Sequence, residues 1–273
     1  MLSALSSDDY QYLCDLLKAR SGISLKNDKG YFIDSRLLPV ARENSLKSME
    51  ELISALRSGR PGLANQIVHA MMTHETFFFR DGKPFKIFED SFLPFFKKER
   101  SYEKHLKVWC AGCSSGQEPY SLAMIMKENA KKFSSWKVDI LGTDISPTII
   151  EKAKKARFTQ FEAQRGLPDG LLKKYFKETD CDWQLNSQLR NAVKFQVRNL
   201  MDDFREIGPF DIIFCRNVLV YFDPATKARV LEKISDVLAP DGYLVLGASE
   251  TVLGFSDRYT SLEGKRGIYT HPT

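Results

Sequence analysis

Several short segments carry residues whose types and spacing could do chemistry. Ala111-Gly112-Cys113-Ser114-Ser115-Gly116 follows the apolar stretch Leu106–Trp109 and leads into Gln117, Glu118 and Pro119. Glycines after a first strand let a ligand approach the backbone, and a following helix presents free N–H groups to it. The spacing is Gly-x-x-x-Gly rather than Gly-x-Gly-x-x-Gly, so the dinucleotide fingerprint is not met, and a tight strand-to-helix turn explains the loop equally well. Asp144 ends the next apolar stretch, Val138–Gly142. A carboxylate there can accept hydrogen bonds from both hydroxyls of a ribose. It could also cap a helix starting at Ser146-Pro147, which would leave it at the same crevice. Arg216 and Asn217 end the apolar run Asp211–Cys215, with Tyr221 close behind. Polar groups at the carboxyl end of a parallel strand face the binding crevice, although an asparagine there can also merely cap a turn. Finally, Thr73-His74-Glu75-Thr76-Phe77-Phe78-Phe79-Arg80 sets polar residues against three phenylalanines. On its own the aromatic run reads as core and Arg80 as a solvated helix residue. The chemistry suggested is the binding of a ribose-bearing ligand, with no Ser-His-Asp or paired-carboxylate device beside it.

These groups need a scaffold that gathers strand ends. From about residue 105 the chain alternates strand and helix: Leu106–Trp109, a helix over Glu118–Lys131, Val138–Gly142, a helix over Pro147–Ala156, Val193–Val197, Asp211–Cys215, a helix over Pro224–Leu238, and Tyr243–Gly247 after an Asp241-Gly242 turn. Such alternation predicts a largely parallel sheet with helical crossovers. Residues 157 to about 192 exceed what a plain crossover needs and predict an inserted subdomain holding a small hairpin or sheet near Asp180–Leu185. Residues 1–72 read instead as a helical domain. Apolar residues recur at helical spacing in Tyr10-Leu13-Leu16-Leu17 and Leu37-Leu38-Val40-Ala41. Ser7 is an N-cap candidate, Gly22 a stop, Ser48 and Glu51 a capping box, and Ser58–Gly62 a break. The remainder, 73–273, forms the second domain.

Bulk properties narrow the class. The 273 residues are 43% hydrophobic and 27% charged, an ordinary globular balance. No apolar run approaches the roughly 20 residues needed to span a bilayer, and the N-terminus lacks a signal-peptide pattern. The expectation is a soluble, cytoplasmic protein without membrane insertion. A net charge of +5 admits an acidic partner, but no basic block interleaved with aromatics points to nucleic acid. Cys110 and Cys113 form a C-x-x-C without the second ligand pair that zinc requires, so no metal site is expected; small buried thiols in a tight loop fit better than a redox motif.

Together these segments resemble the CheR-type chemoreceptor glutamate methyltransferases. The resemblance rests on Thr-x-x-Thr-x-Phe-Phe-Arg at 73–80, Ser-Ser-Gly-Gln-Glu-Pro-Tyr-Ser at 114–121 and Thr-Asp-Ile-Ser at 143–146. It continues through Val197-Arg198-Asn199-Leu200, Phe214-Cys215-Arg216-Asn217-Val218-Leu219-Val220-Tyr221-Phe222 and Gly247-Ala248-Ser249-Glu250. It implies a small all-α N-terminal domain followed by a Rossmann-like α/β methyltransferase domain that binds S-adenosylmethionine. It implies transfer of the methyl group to glutamate side chains on the cytoplasmic helices of bacterial chemoreceptors, leaving S-adenosylhomocysteine. Cofactor contacts carry over to Thr76, Arg80, Glu118, Asp144, Asn199, Leu200, Asn217 and Val218. Arg80 and Tyr221 become the residues nearest the reacting sulfur. Where the family has asparagine two residues after the first threonine, this chain has Glu75, so that contact does not carry over.

The residue types suit this reaction. A glutamate carboxylate, with a free pKa of about 4.3, is already ionised at neutral pH and needs no general base. The expected roles are Asp144 on the ribose, Glu118 near the methionine amino group, Arg80 on a carboxylate of cofactor or acceptor, and Tyr221 orienting the acceptor. Lys26, Lys29, Arg36 and Arg42 form a basic stretch that could dock on glutamate-rich receptor helices, or simply be a solvated face. Some family members bind a receptor tail peptide through the inserted subdomain; the segment here looks short for that, and independence from such a tether is expected. Rival readings are a methyltransferase for another acceptor such as RNA or a small molecule, a nicotinamide dehydrogenase, and a non-catalytic binding module. The missing basic-aromatic stripe argues against the first and the broken dinucleotide fingerprint against the second. A turnover assay separates the third.

Overall fold

The structure, a computed structural model, describes residues 5–25 and 30–272. By contact the chain forms two units: the residues up to Thr73 together with Tyr221–Lys227, and His74–Val220 together with the chain from Ala228 onward.

The first unit is built on four helices, α1 Ser7–Ser21, α2 Gly30–Glu43, α3 Met49–Arg57 and α4 Leu63–Met71. Each turns an aliphatic stripe inward, with Leu13, Leu17, Ile33, Leu37, Leu52 and Ile67 wholly buried. Burial of each such side chain is worth about 1.5–3 kcal/mol before chain entropy is subtracted. The α1 cap is Ser6, not Ser7: Ser6 keeps an extended backbone and its Oγ accepts from the Asp9 N–H, while Ser7 is already helical. Gly22 ends α1 in the left-handed conformation, as its position after the apolar repeat requires. Ser48 caps α3, but Glu51 reaches back to the Lys47 N–H rather than to Ser48, so only half of the capping box forms. The segment Tyr221–Lys227 completes the unit: Ile23 bridges Phe222, the Tyr221 carbonyl accepts from Ser24 N–H at 2.9 Å, and Lys18 pairs with Asp223 at 2.7 Å.

The second unit begins with α5 Lys83–Ile87, a π-helical turn Phe88–Phe92 and α6 Leu93–Glu99. These lay Phe85 and Phe88 on Phe214 and stack Phe92 on Tyr243. There follow β1 His105–Ala111, α7 Gln117–Glu128, β2 Lys137–Asp144 and α8 Pro147–Lys155. The inserted subdomain comprises β3 Arg157–Phe158, α9 Gln160–Gln164, α10 Asp169–Tyr175, β4 Phe176–Glu178, β5 Trp183–Leu185 and α11 Ser187–Arg190. Then come β6 Val193–Val197, β7 Phe210–Cys215, α12 Pro224–Asp236, β8 Leu238–Leu246, β9 Thr260–Ser261 and β10 Ile268–Thr270.

The main sheet runs β6-β2-β1-β7-β8-β10-β9, with β6 through β8 parallel and the last two strands antiparallel. The insert is a three-stranded antiparallel sheet, β3-β5-β4, carrying its own short helices. This is the Rossmann-like α/β architecture with a small β subdomain that the sequence predicts. The expected Asp241-Gly242 turn is instead the middle of β8. The strand starts at Leu238 and bulges, so the pairing with β7 jumps from Phe210↔Leu238 to Ile212↔Tyr243. A side chain at Gly242 would come within 2.9 Å of the Asp211 carbonyl, which leaves glycine as the residue that fits.

Candidate active site

In this strand order the chain leaves β1 toward β2 and β6 on one side and returns to β7 and β8 on the other. The switch point lies at the carboxyl ends of β1 and β7, where open α/β sheets hold ligands. The loop after β1 is cut for close approach. Gly112 and Gly116 are left-handed, and a Cβ on Gly112 would fall 2.5 Å from Val218 Cγ2 in the loop after β7.

Asp144, at the end of β2 and 8% exposed, is anchored through both oxygens. Oδ2 accepts from the Ser114 N–H and Oδ1 from the Ser146 N–H, each at 3.0 Å. The α8 cap itself is Ser146, whose Oγ accepts from Ile149 N–H. Each carboxylate oxygen has two lone pairs, so Asp144 retains acceptor capacity for a diol. Asn199 and Leu200 follow β6 beside it. The Arg198 N–H donates to the Asp144 carbonyl, Asn199 Oδ1 accepts from Met201 N–H, and Leu200 is buried.

Glu118 stands in the first turn of α7 and faces Arg216, whose side chain is 1% exposed. Arg216 Nη1 donates to Glu118 Oε2 at 2.7 Å; Nη2 donates to Asp81 Oδ2 at 2.6 Å and to the Arg80 carbonyl at 2.8 Å. Burial pushes the Glu118 carboxyl up, and the Arg216 charge only partly offsets it. Phe79 and Asp81, on either side of Arg80, have φ of 52° and 67°. Such backbone is strained for non-glycine residues and persists because its surroundings hold it. Here the Phe79 N–H donates to Ser121 Oγ, and Arg216 grips the Arg80 carbonyl and Asp81.

Arg80 itself donates from Nη1 to the Glu75 carbonyl at 2.8 Å and lies 5.6 Å from the Phe77 ring centre. Among the described residues it forms no ion pair. Thr76, half-buried, sits between these two partners of Arg80. The His74 carbonyl accepts from Ser114 Oγ at 2.9 Å, which ties this segment to the glycine loop. Of the three phenylalanines that read as core, Phe78 is wholly buried while Phe77 and Phe79 are only half-buried.

Asn217 has a left-handed backbone, with φ of 60°. Glu250, after β8, explains how it is held. Its Oε2 accepts from the N–H groups of Asn217 and Gly247, both at 2.7 Å, and its Oε1 from those of Val218 and Val220. Among the described residues, Asn217 Oδ1 and Arg216 Nε are buried without a hydrogen-bond partner. Glu250 and Asp81 were not singled out as site residues from the sequence. Glu250 carried a usable signal, since it follows the carboxyl end of a parallel strand as Asp144 does; Asp81 carried none.

The structure thus links Glu118 through Arg216 to the Arg80 carbonyl, Asp144 through Ser114 to the segment carrying Thr76 and Arg80, and Val218 to the glycine loop, all at the carboxyl ends of the parallel strands, and ties the Asn199-Leu200 loop to the end of β2. Tyr221 closes a 3-10 turn, Leu219–Tyr221, and belongs by contact to the helical unit rather than to this cluster. Cys110 and Cys113 are buried free thiols pushed up by burial, the reverse of an activated redox pair.

A glycine loop, an acidic residue ending β2 and polar groups ending β7 define a nucleoside-binding α/β enzyme. The comparisons make the class specific. Residues 74–268 match the family described as CheR methyltransferase, SAM binding domain, and residues 8–72 match its all-alpha domain. Chemotaxis protein methyltransferase 1 of Pseudomonas aeruginosa is 36% identical over 264 residues, spanning 95% of this chain and 96% of that protein. Chemotaxis protein methyltransferase Cher2 of Pseudomonas putida is 36% identical over 265 residues, again spanning 95% and 96%. Chemotaxis protein methyltransferase 1 of Vibrio cholerae is 35% identical over 268 residues, spanning 97% and 96%. The chain belongs to the CheR methyltransferase family and is an S-adenosylmethionine-dependent methyltransferase. The crevice fits that cofactor. A buried acceptor without a donor, Asn217 Oδ1, and a carboxyl that burial keeps short of full compensation, Glu118, both suit a ligand bringing N–H groups and positive charge.

Proposed function

We propose that this enzyme methylates the side-chain carboxylates of glutamates on the cytoplasmic helices of bacterial chemoreceptors, giving methyl esters. The observation that carries the reading is Arg80: a cation beside the crevice whose neighbours Asp81 and Glu118 are already paired with Arg216, while among the described residues its own guanidinium forms no ion pair. The relatives' names, chemotaxis protein methyltransferases, supply the setting.

When bound, the cofactor supplies a methyl group on sulfonium sulfur with a neutral thioether as leaving group. Asp144 holds the ribose hydroxyls on its free lone pairs. Glu118 and Asn217 receive the methionine ammonium, and Thr76, Asn199, Leu200 and Val218 line the remaining cofactor surface. Arg80 takes a carboxylate, of the methionine moiety or of the acceptor. That glutamate arrives ionised, so the residues need only fix its approach and strip part of its water. Arg36 and Arg42 on α2 offer a basic docking face for an acidic receptor helix; Lys26 and Lys29 of the same stretch lie outside the described residues. A receptor tail peptide has little to add to, because β3 is two residues long and β4 three at the edges of the small sheet. The enzyme is therefore proposed to work without a tether.

The test is transfer of labelled methyl from S-adenosylmethionine to receptor cytoplasmic fragments. Base-labile label is expected on glutamates, with Arg80→Ala lowering kcat/KM about 100-fold, the scale of a lost charge-assisted bond. Cofactor binding with no label on any receptor fragment overturns the acceptor assignment.

A further inference from the structure

The inserted subdomain contributes none of the groups assigned above, yet it grips the segment that carries Arg80 from two sides. Beneath, the buried Phe78 ring lies edge-on between Phe158 of β3 and Phe176 of β4, with ring centres 5.0 and 5.6 Å away. Above, Arg165 at the end of α9 donates from Nη2 to Glu75 Oε1 at 2.7 Å and stacks 4.4 Å from the Phe77 ring centre. Arg80 lies over that same ring and is held by the carbonyl of that same Glu75. Gly166 closes the grip. Its φ is 79°, and a Cβ there would stand 2.1 Å from the Phe78 carbonyl oxygen, so the loop meets the backbone of the segment directly. α9 is fixed by a complete capping box between Thr159 and Glu162, which leaves Arg165 on a rigid support.

We propose that the insert is a clamp on residues 74–80, and that Arg165 is a positioning residue for Arg80, acting through Glu75 and the shared Phe77 ring. The proposal rests on the reading of Arg80 given above. An arginine aimed by two contacts meets a carboxylate in one geometry; released from them it samples many rotamers, and a displacement of about 1 Å can cost as much as 100-fold in rate. Arg165 is not itself expected to touch cofactor or acceptor.

A double-mutant cycle on the full-length enzyme tests this, with methyl transfer to receptor fragments as the readout. Arg165→Ala is expected to lower kcat/KM about 10-fold, part of the misplacement penalty above, with the thermal midpoint nearly unchanged. Arg165→Lys, which keeps the charge on Glu75, is expected to recover part of the loss. Glu75→Gln tests the same link from the other side and is expected to be non-additive with Arg165→Ala. In an Arg80→Ala background the Arg165 substitution is expected to do nothing further. Equal losses in the presence and absence of Arg80 overturn the proposal while leaving the role of Arg80 intact. Wild-type rates for Arg165→Ala also overturn it. Wild-type rates for Arg80→Ala defeat the reading of Arg80 and this proposal together.

Discussion

The crevice and the helical unit place their charges in opposite ways. At the crevice, Arg216, Glu118 and Glu250 are buried and partnered, and only Arg80 stands half-buried beside them without an ion pair among the described residues. Arg216 is 6% exposed among three acceptors, and Glu250 accepts four backbone N–H groups at 8% exposure. In the helical unit the interior is aliphatic and the charges sit outside, as with the exposed Arg42 on α2 and the partly exposed Arg57–Asp9 pair. Buried paired charges cost desolvation and repay it by fixing geometry, so they belong where a ligand must meet preset groups. Exposed charges contribute little to stability and remain free to steer a partner.

The sharpest way to break this contrast is Arg216→Ala. It leaves the Glu118 carboxylate and Asp81 without their shared cation, and loss of one partner from a buried pair costs about 3–5 kcal/mol. Chemical unfolding of the variant measures it. Burial already holds the Glu118 carboxyl above its ordinary 4.5, so its charged form weakens the fold increasingly as pH rises through the folded value. Removing Arg216 enlarges that effect, and the deficit should therefore be smallest near pH 4 and grow toward neutrality. A loss below about 1 kcal/mol at pH 7 would put Arg216 in the same class as a surface charge and erase the contrast.

Asp223 offers an intermediate case, a partly buried carboxylate within the helical unit. Lys18 and the Thr226 N–H hold its carboxyl down at about 2. A depressed carboxyl stabilises the fold above its unfolded value of 3.8 and loses that contribution as pH falls toward 2. Lys18 is half exposed, so screening trims the effect, and Asp223→Asn is expected to cost about 1 kcal/mol at pH 7. Thermal midpoints of wild type and variant should draw together between pH 4 and 2. A gap that stays constant over that range would assign the cost to lost hydrogen-bond geometry rather than to charge.

What the sequence made legible follows the range of the interactions involved. Val193–Val197 coincides with β6 and Val138–Gly142 lies within β2, because Val-Lys-Phe-Gln-Val alternates with the period of a half-buried strand and Val138–Gly142 is a short, largely apolar segment bounded by polar residues. Asp144 and Asn217 could be assigned to the crevice because strand ends in this fold face it. The short strands β9 and β10 went unseen, being two and three residues long, as did the helices flanking the π turn at Phe88–Phe92, where proline and clustered phenylalanines blur the period. The β8 bulge was hidden because Asp-Gly is a turn signal locally, and only pairing with β7 overrides it. The links Arg216–Glu118, Glu250–Asn217 and Arg165–Glu75 span 98, 33 and 90 residues, and no local pattern announces them.

The smallest stability effect and the most specific functional one are expected on α2. Arg36 lies over the Phe32 ring, Arg42 is exposed, and among the described residues neither forms an ion pair. Replacing both with alanine should change unfolding free energy by no more than about 0.5 kcal/mol, as for surface sites in general. If they dock an acidic receptor helix, the same variant should methylate receptor fragments several-fold more slowly at low ionic strength. Raising salt shortens the reach of these charges to about 8 Å at 0.15 M, so wild type should slow toward the variant as salt is added. Cofactor affinity should be unaffected in either condition. A rate deficit that persists unchanged in high salt would mean the arginines act through short-range contacts, and no deficit at all would return them to the solvated face and leave the docking surface to be found elsewhere.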